Sequence, residues 1–380
     1  LTALSRLSGD GLGDGRPVPV CHSGAVTSPF DPISFLHGPA MPNRFMLAPL
    51  TNRQSHADGT LSTDEHHWLA MRATGGFGLT MTCAAHVQAI GQGFAGQLGI
   101  FGDEHVEGLT RLAADLNATG TASYVQLHHA GMRSPAALIG AAPVCPSDDE
   151  TTGARALTTD EVEQVAADFV AAAVRAQRAG FHGVELHGAH GYLICQFLSP
   201  EINRRTDRYG GSLENRSRLL FDIVEGIRAA CGPDLAIAVR LSSDRFGIVT
   251  DEMAQVYSQL VATAEVDLID MSLWDVWRDG PDGTPLLDVF TAIPRGEVRL
   301  GVAGKIHDPS DVQAVLDRGV DIAVLGRVAI LHHDYPQLLA ADPSFTPRRP
   351  PASADVLIAE GVSPSFVDYL RSSFKGFVAD

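Results

Sequence analysis

Three acid/base side chains crowd one short stretch of this chain: His187, His190 and Tyr192, in the pattern His-x-x-His-x-Tyr. Two neutral imidazoles donating to one substrate oxygen, with a phenol nearby, form a coherent device for polarising a carbonyl and protonating a neighbouring carbon. A metal site is a second reading, because two histidines three residues apart share a helical face. No third ligand is obvious, and no glutamate stands at the spacing of the zinc hydrolases, so no metal is expected. Core histidines satisfied by backbone groups are the third reading.

Other candidates end apolar runs. Gly304 is followed by Lys305, and Gly326 by Arg327. Glycines there let backbone N–H groups approach an anion while the side chains add charge, and the loops after strands seven and eight are the usual phosphate site of a β/α barrel. The plainer reading is that glycines end strands everywhere and Arg327 pairs with a surface carboxylate. Arg240 closes the run Ala-Ile-Ala-Val. A guanidinium there needs a partner, since an unpaired buried charge is costly; a salt bridge to Asp244 or Asp270 is one solution. Gln126 stands alone on its strand end, where a glutamine satisfied by backbone is the alternative.

The elements that must hold these residues alternate. Candidate buried strands are Phe45–Leu50, Leu79–Cys83, Ser123–Leu127, Gly183–Leu186, Ala236–Arg240, Leu268–Met271, Arg299–Ala303 and Ile322–Leu325. Helical stretches separate most of them, the clearest at Asp103–Asn117, Thr159–Ala179, Asn215–Ala230, Asp251–Ala264 and Asp308–Arg318. That alternation predicts an α/β fold, a single (β/α)8 TIM barrel. An open doubly wound sheet competes, but no G-x-G-x-x-G follows the first strand. Two connections, Gly131–Ala156 and Asn203–Asn215, exceed barrel needs and predict loop excursions at the C-terminal face, of the kind that form lids or binding loops. Residues 1–28, rich in Gly, Asp, Ser and Pro, are expected to be a mobile appendage, 29–344 the barrel, and 345–380 a C-terminal extension. The extension opens on a Pro/Arg-rich linker and then carries a short amphipathic helix around Ser363–Ser373.

A net charge of −17 argues against a nucleic-acid partner. No apolar run reaches the roughly 20 residues that cross a bilayer, so a soluble protein is expected. Five scattered cysteines form no CxxC, which suits a reducing cytoplasm. The chain begins at Leu1, which leaves a removed leader open.

Residues 183–216 contain Gly-Val-Glu-Leu-His-Gly-Ala-His-Gly-Tyr-Leu, then Gln-Phe-Leu-Ser-Pro, then Asn-Arg-Arg-Thr-Asp-Arg-Tyr-Gly-Gly-Ser-Leu-Glu-Asn-Arg. With Asn43-Arg44-Phe45, Ala48-Pro49-Leu50-Thr51, Gln126-Leu-His-His129-Ala-Gly131 and Leu325-Gly326-Arg327, this closely resembles the Old Yellow Enzyme family, over roughly Phe30 to Leu339. The resemblance implies FMN at the barrel mouth and NADPH or NADH as hydride donor. It implies hydride passing by way of flavin N5 to the β-carbon of an α,β-unsaturated carbonyl (or nitro) compound.

Residue by residue, Arg240 would lie beside flavin N1 and O2, Gln126 on the pyrimidine edge and Thr51 at O4. Pro49, Leu50 and Ala84 would line the isoalloxazine. Gly304, Gly326 and Arg327 would hold the phosphate with Lys305 beside them, His187 and His190 would grip the substrate oxygen, and Tyr192 would protonate the carbon. Thr51 stands where one branch has a redox-tuning cysteine, and Arg53 where that branch often has an aromatic. Arg53 and Trp274 are the substrate-binding candidates, although Trp274 and Trp277 lie outside the family pattern and could equally pack the rim. The C-terminal segment does not match the tail with which some members reach a neighbour's site, which leaves a homo-oligomer open. A flavin-free barrel lyase or isomerase using His187, His190 and Tyr192, and a flavoprotein of another redox role such as desaturation, are the alternatives.

Overall fold

The eight apolar runs become eight parallel strands: β1 (Phe45–Leu47), β2 (Leu79–His86), β3 (Ala122–His128), β4 (Gly183–Gly188), β5 (Ala236–Ser242), β6 (Leu268–Ser272), β7 (Arg299–Ala303) and β8 (Ile322–Leu325). They close into a barrel, β1 pairing with both β2 and β8. This computed structural model describes residues 27–379. Apart from its last two residues, the expected N-terminal appendage lies outside the described residues.

Alternation along each strand sorts side chains between two cores. Inward positions form a small cluster that includes Met46, Leu79, Met81, Tyr124, Ala236 and Leu268. Outward positions meet the helices in a much larger one. Tyr124 fills much of the barrel interior, and Gly183 makes room for it. A Cβ at Gly183 would lie 2.6 Å from the Tyr124 ring and 2.8 Å from the Ala236 carbonyl. The inward series then turns polar toward the C-terminal end: Gln126 follows Tyr124, Glu185 and His187 follow Gly183, Arg240 follows Ala238, and Asp270 follows Leu268. Register aligns Gln126 with Glu185, His187 with Arg240, and Arg240 with Asp270. Period-two geometry and parallel pairing therefore set these groups in two adjacent rows, Gln126 with Glu185 and then His187 with Arg240 and Asp270.

The helices start where local chemistry lets them. Thr159–Ala179 opens on a capping box between Thr158 and Glu161 and stops at Gly180, whose φ of 91° is left-handed. Leu213–Cys231 is capped by Ser212. The Asn203–Asn215 excursion works as a latch: Arg204 N–H donates to Ser147 Oγ, Arg205 binds the Pro146 and Leu157 carbonyls, and Thr159 bonds Asp207. It thus ties down the Gly131–Ala156 connection, which carries two short helical turns and a two-residue strand pair.

After the barrel, helices Ala354–Ala359 and Pro364–Ser373 pack back onto it. Ser363 caps the second, with Pro364 in its first turn. Phe366 meets Trp68 edge-on at 5.1 Å, and the Ser363 N–H donates to Gln54 Oε1. Glu360 accepts from both Arg348 and His333. The stretch that opens as a Pro/Arg-rich linker is thereby pinned to the barrel. Among the described residues no helix is long and apolar enough to cross a membrane.

Candidate active site

A cavity of about 790 Å³ opens at the C-terminal ends of the strands, within the range expected of small-molecule sites. The β1 end supplies Pro49, Leu50 and Thr51 to its wall, and β2 supplies Ala84. A bulge between Met81 and Ala84 shifts the β2–β3 register and sets Ala84 beside Gln126. Gln126, His187, His190, Tyr192 and Arg240 follow from β3, β4 and β5. Trp274, Gly304, Lys305, Gly326 and Arg327 come from the last three strand ends. Arg53 alone of the sequence candidates is outside this lining: its guanidinium sits 4.8 Å over the Tyr369 ring.

The polar floor is a buried charge cluster. Arg240 Nε lies 3.1 Å from Asp270 Oδ2, both side chains almost wholly buried. Asp244, the other candidate partner, pairs instead with Arg278. The Arg240–Asp270 contact is too poorly aligned for a hydrogen bond and leaves Arg240 Nε and both Asp270 oxygens without one. Gln126 Nε2 donates to Glu185 Oε1 at 2.7 Å, while Glu185 Oε2 is unbonded. Burial, then Asp270, raises the Glu185 carboxyl well above its usual range, and burial also raises Asp270, against which Arg240 pulls. Burial and the neighbouring carboxylate thus favour the protonated form of Glu185, beside the Arg240–Asp270 pair.

The histidines above are neutral. Burial, with His190, His128 and Arg240 adding repulsion, holds His187 well below the usual imidazole range. Burial, then Arg240 and Arg133, pushes His190 down to about 3. The Ala189 N–H donates to His187 Nδ1, so the neutral ring carries its proton on Nε2. His190 Nε2 lies 2.7 Å from Ser272 Oγ, and its backbone N–H donates to Ser242. Tyr192 packs edge-on to His187 at 4.9 Å. Arg133 lies 4.8 Å over the same phenol ring and donates to the His190 carbonyl. His190 itself holds φ at 60°, and Arg53, Phe246, Trp274 and Lys305 are also left-handed. Such conformations cost bulky residues on the order of 1–2 kcal/mol each and cluster where function demands them.

The opposite end suits an anion. A Cβ on Gly326 would meet nothing closer than Leu50 Cδ2 at 3.6 Å and Ala48 Cβ at 3.8 Å, so it would protrude into open cavity. Gly304 lets the chain run close to the Trp274–Asp275 backbone, where a Cβ would lie 2.8 Å from the Asp275 nitrogen. Lys305 lines the wall, but its ammonium bonds Asp275 at 2.7 Å. A long planar group with carbonyl oxygens toward the Arg240 and Gln126 side chains and a phosphate at Gly326 and Arg327 would meet the polar wall at one end and occupy the glycine cradle at the other. An FMN has that form, and the residues fit it.

Several contributors escaped the sequence reading. Glu185, within the motif of residues 183–216, is not among the residues that the sequence singles out; its signal there is an acidic residue at an inward strand position. His128, fully buried with Nε2 unbonded, packs 4.4 Å from the Tyr192 ring. Phe366, Tyr369, Leu370, Phe374 and Phe377 line the cavity from the C-terminal segment. Nothing in sequence order brings that segment to the mouth. Conversely, the Gly131–Ala156 connection lines none of the cavity; it sends only Arg133 to its rim.

Comparison with known proteins now decides the family. Residues 28–342 match the NADH:flavin oxidoreductase / NADH oxidase family. The chain belongs to this family. It is an oxidoreductase, and its cofactors are FMN and a reduced nicotinamide nucleotide, which removes the flavin-free lyase or isomerase alternative. A probable NADH-dependent flavin oxidoreductase of Bacillus subtilis is 36% identical over 312 residues, covering 78% of this chain and 84% of that one. The old yellow enzyme homologue from Zymomonas mobilis superposes with a TM-score of 0.77 at 28% identity, over 90% of this chain and 99% of that one. Morphinone reductase in complex with tetrahydroNAD gives 0.74 at 27%, over 87% and 94%. Some relatives are longer: the chain spans only 37% of an NADH oxidase from Thermoanaerobacter brockii.

Proposed function

We propose that this oxidoreductase reduces the C=C bond of α,β-unsaturated carbonyl or nitro compounds, with NADPH or NADH as reductant. The observation that carries this reading is the convergence of His187, His190 and Tyr192 on one cavity wall, adjoining Arg240 and Gln126 on its floor. FMN, when bound, supplies the hydride-transfer chemistry. His187 Nε2–H is free to donate to the substrate oxygen, and its depressed pKa keeps the ring a neutral donor. His190, braced by Ser272, is the second donor. Together they stabilise negative charge that develops on the oxygen as the β-carbon is reduced, a contribution of about 100- to 1000-fold per donor. The Tyr192 hydroxyl gives its proton to the α-carbon and recovers one from solvent through the open mouth. Arg133 and His128 hold the phenol ring from two directions. Arg240, Gln126 and Thr51 bind the flavin's polar edge, and Gly304, Gly326 and Arg327 its phosphate. Arg53, at the rim beside Tyr369, and Trp274 border the substrate's approach. A cytoplasmic location accompanies the reading, consistent with four free buried cysteines among the described residues.

The test is anaerobic. The purified yellow protein should bleach on addition of NADPH or NADH and regain its colour with 2-cyclohexenone. A protein that bleaches but is not reoxidised by enones or nitroalkenes would refute the substrate class and leave the cofactors standing.

A further inference from the structure

The chain carries a net charge of −17, yet the cavity mouth is locally cationic. Most arginines of the barrel wall pair with carboxylates, as Arg278 does with Asp244. Arg133 and Arg245 differ: among the described residues neither meets a carboxylate, and both rest on aromatic rings. Arg245 lies 4.4 Å over Trp274, and Arg133 lies 4.8 Å over Tyr192 and 5.9 Å over Phe246. Trp274 lies 6.4 Å from His190 and 6.5 Å from Phe246, is 45% exposed, and lines the cavity. Both Trp274 and Phe246 hold left-handed backbone, φ 62° and 65°. Large L-residues adopt that conformation only where the surrounding structure imposes it. A bulky indole is thus presented to solvent beside the Arg245 guanidinium, with Arg133 on the neighbouring Tyr192 and Phe246 rings, and next to the histidine that faces the substrate.

An exposed indole suits a flat ring, and guanidiniums without a carboxylate partner suit phosphate oxygens; Arg133 gives one N–H to the His190 carbonyl and keeps its others. We propose that Trp274, Arg245 and Arg133 form a subsite for phosphorylated adenosine, occupied by the adenosine half of the nicotinamide donor. This rests on the reading of the cavity as the hydride-transfer site. A dinucleotide whose nicotinamide lies at His187 and His190 must leave its other half at the mouth, and Trp274 is the exposed aromatic next to His190. The purine stacks on Trp274, and the phosphates meet Arg245 and Arg133.

The experiment uses FMN-loaded wild type, Arg245→Ala and Arg245→Lys. Anaerobic reduction is followed with NADPH, with NADH and with 1-benzyl-1,4-dihydronicotinamide, which carries the reducing ring without purine or phosphate. Binding is measured separately by titrating a tetrahydronicotinamide dinucleotide, which gives no hydride, against tryptophan fluorescence. Arg245→Ala should weaken both dinucleotides and the tetrahydro analogue by about three- to tenfold. The benzyl donor and the limiting reduction rates should be unaffected. Arg245→Lys should recover part of the loss, and the difference should shrink at high salt. An equal loss for the benzyl donor, or no loss for any donor, would overturn the subsite. Weakened use of an enoyl-CoA thioester with donor affinities intact would overturn it in favour of an acceptor-borne adenosine. Wild type that none of the three donors reduces would overturn the hydride-transfer reading itself, and this inference with it.

Discussion

Replacing Arg240 by methionine would separate its ion pair with Asp270 from its proposed contact with the flavin. Arg240 and Asp270 are both almost wholly buried, with Nε and Oδ2 3.1 Å apart. Removing one partner of a buried pair typically costs about 3–5 kcal/mol, because the other charge is left uncompensated. Here Asp270 can escape by taking up a proton, since burial already raises its pKa and Arg240 is what holds it down. The contact is also misaligned for a hydrogen bond. Both facts bring the cost below that range, to about 2–3 kcal/mol. Flavin affinity is a separate quantity: a lost charge-assisted hydrogen bond of about 1.5–3 kcal/mol weakens FMN by roughly 10- to 150-fold. In Arg240→Met/Asp270→Asn the orphaned carboxylate is gone, so stability should recover most of the loss while FMN affinity stays low. Unfolding midpoints of the apoprotein and fluorescence titration with FMN give the two readings. Normal FMN affinity in Arg240→Met would refute the flavin contact. A double variant no more stable than the single one would refute the ion-pair account.

Tyr192→Phe should leave flavin reduction by nicotinamide near wild type and slow enone reduction by about 100-fold in stopped flow; equal slowing of both half-reactions would contradict the proton-donor role. Gly326→Val should lower FMN affinity by about tenfold or more, since its side chain would project into the cavity, while the apoprotein keeps its unfolding midpoint. Gly183→Ala should lower that midpoint, with a cost of about 1–3 kcal/mol, because the new methyl strikes Tyr124 and the Ala236 carbonyl. Burial pushes His129 and His190 down to about 3 and His86 and His332 to about 4, against about 6.5 when unfolded. The unfolded chain therefore binds more protons below pH 6.5. Their contribution is complete above that value and is lost as pH falls toward 4 and then 3. Thermal melts from pH 8 to pH 4 should show that decline, with a shallower slope in His332→Asn.

The barrel was legible because its evidence is local. A buried parallel strand must be a short apolar run, and Arg299–Ala303 and Ile322–Leu325 keep in the structure the bounds their residues imply. Thr159–Ala179 is as clear, since its capping box and terminal glycine are written in adjacent residues. Strand ends were less so: β2 runs on to His86 and β5 to Ser242, because hydrogen-bonded partners, not apolarity, carry a strand past its hydrophobic segment. Short helices such as Leu286–Thr291 and Arg327–Leu331 have too few turns to show a period, and they form because the barrel wall buries one face.

For the cavity, sequence alone determined which strand ends bear reactive groups. In a closed parallel barrel every C-terminal strand end reaches the same face, so His187, Arg240, Gly304 and Gly326 converge whatever loops join them. What lies between those ends required three dimensions. Only the folded structure shows that Arg240 takes Asp270 while Asp244 goes to Arg278, and that Gln126 donates to Glu185. Only packing brings Tyr369 and Phe374 to the mouth from beyond residue 342, and holds Arg53 on Tyr369 outside the wall. Side chains far apart in the chain meet through the fold's distances and burial, and those are properties of the packed structure that no run of neighbouring residues encodes.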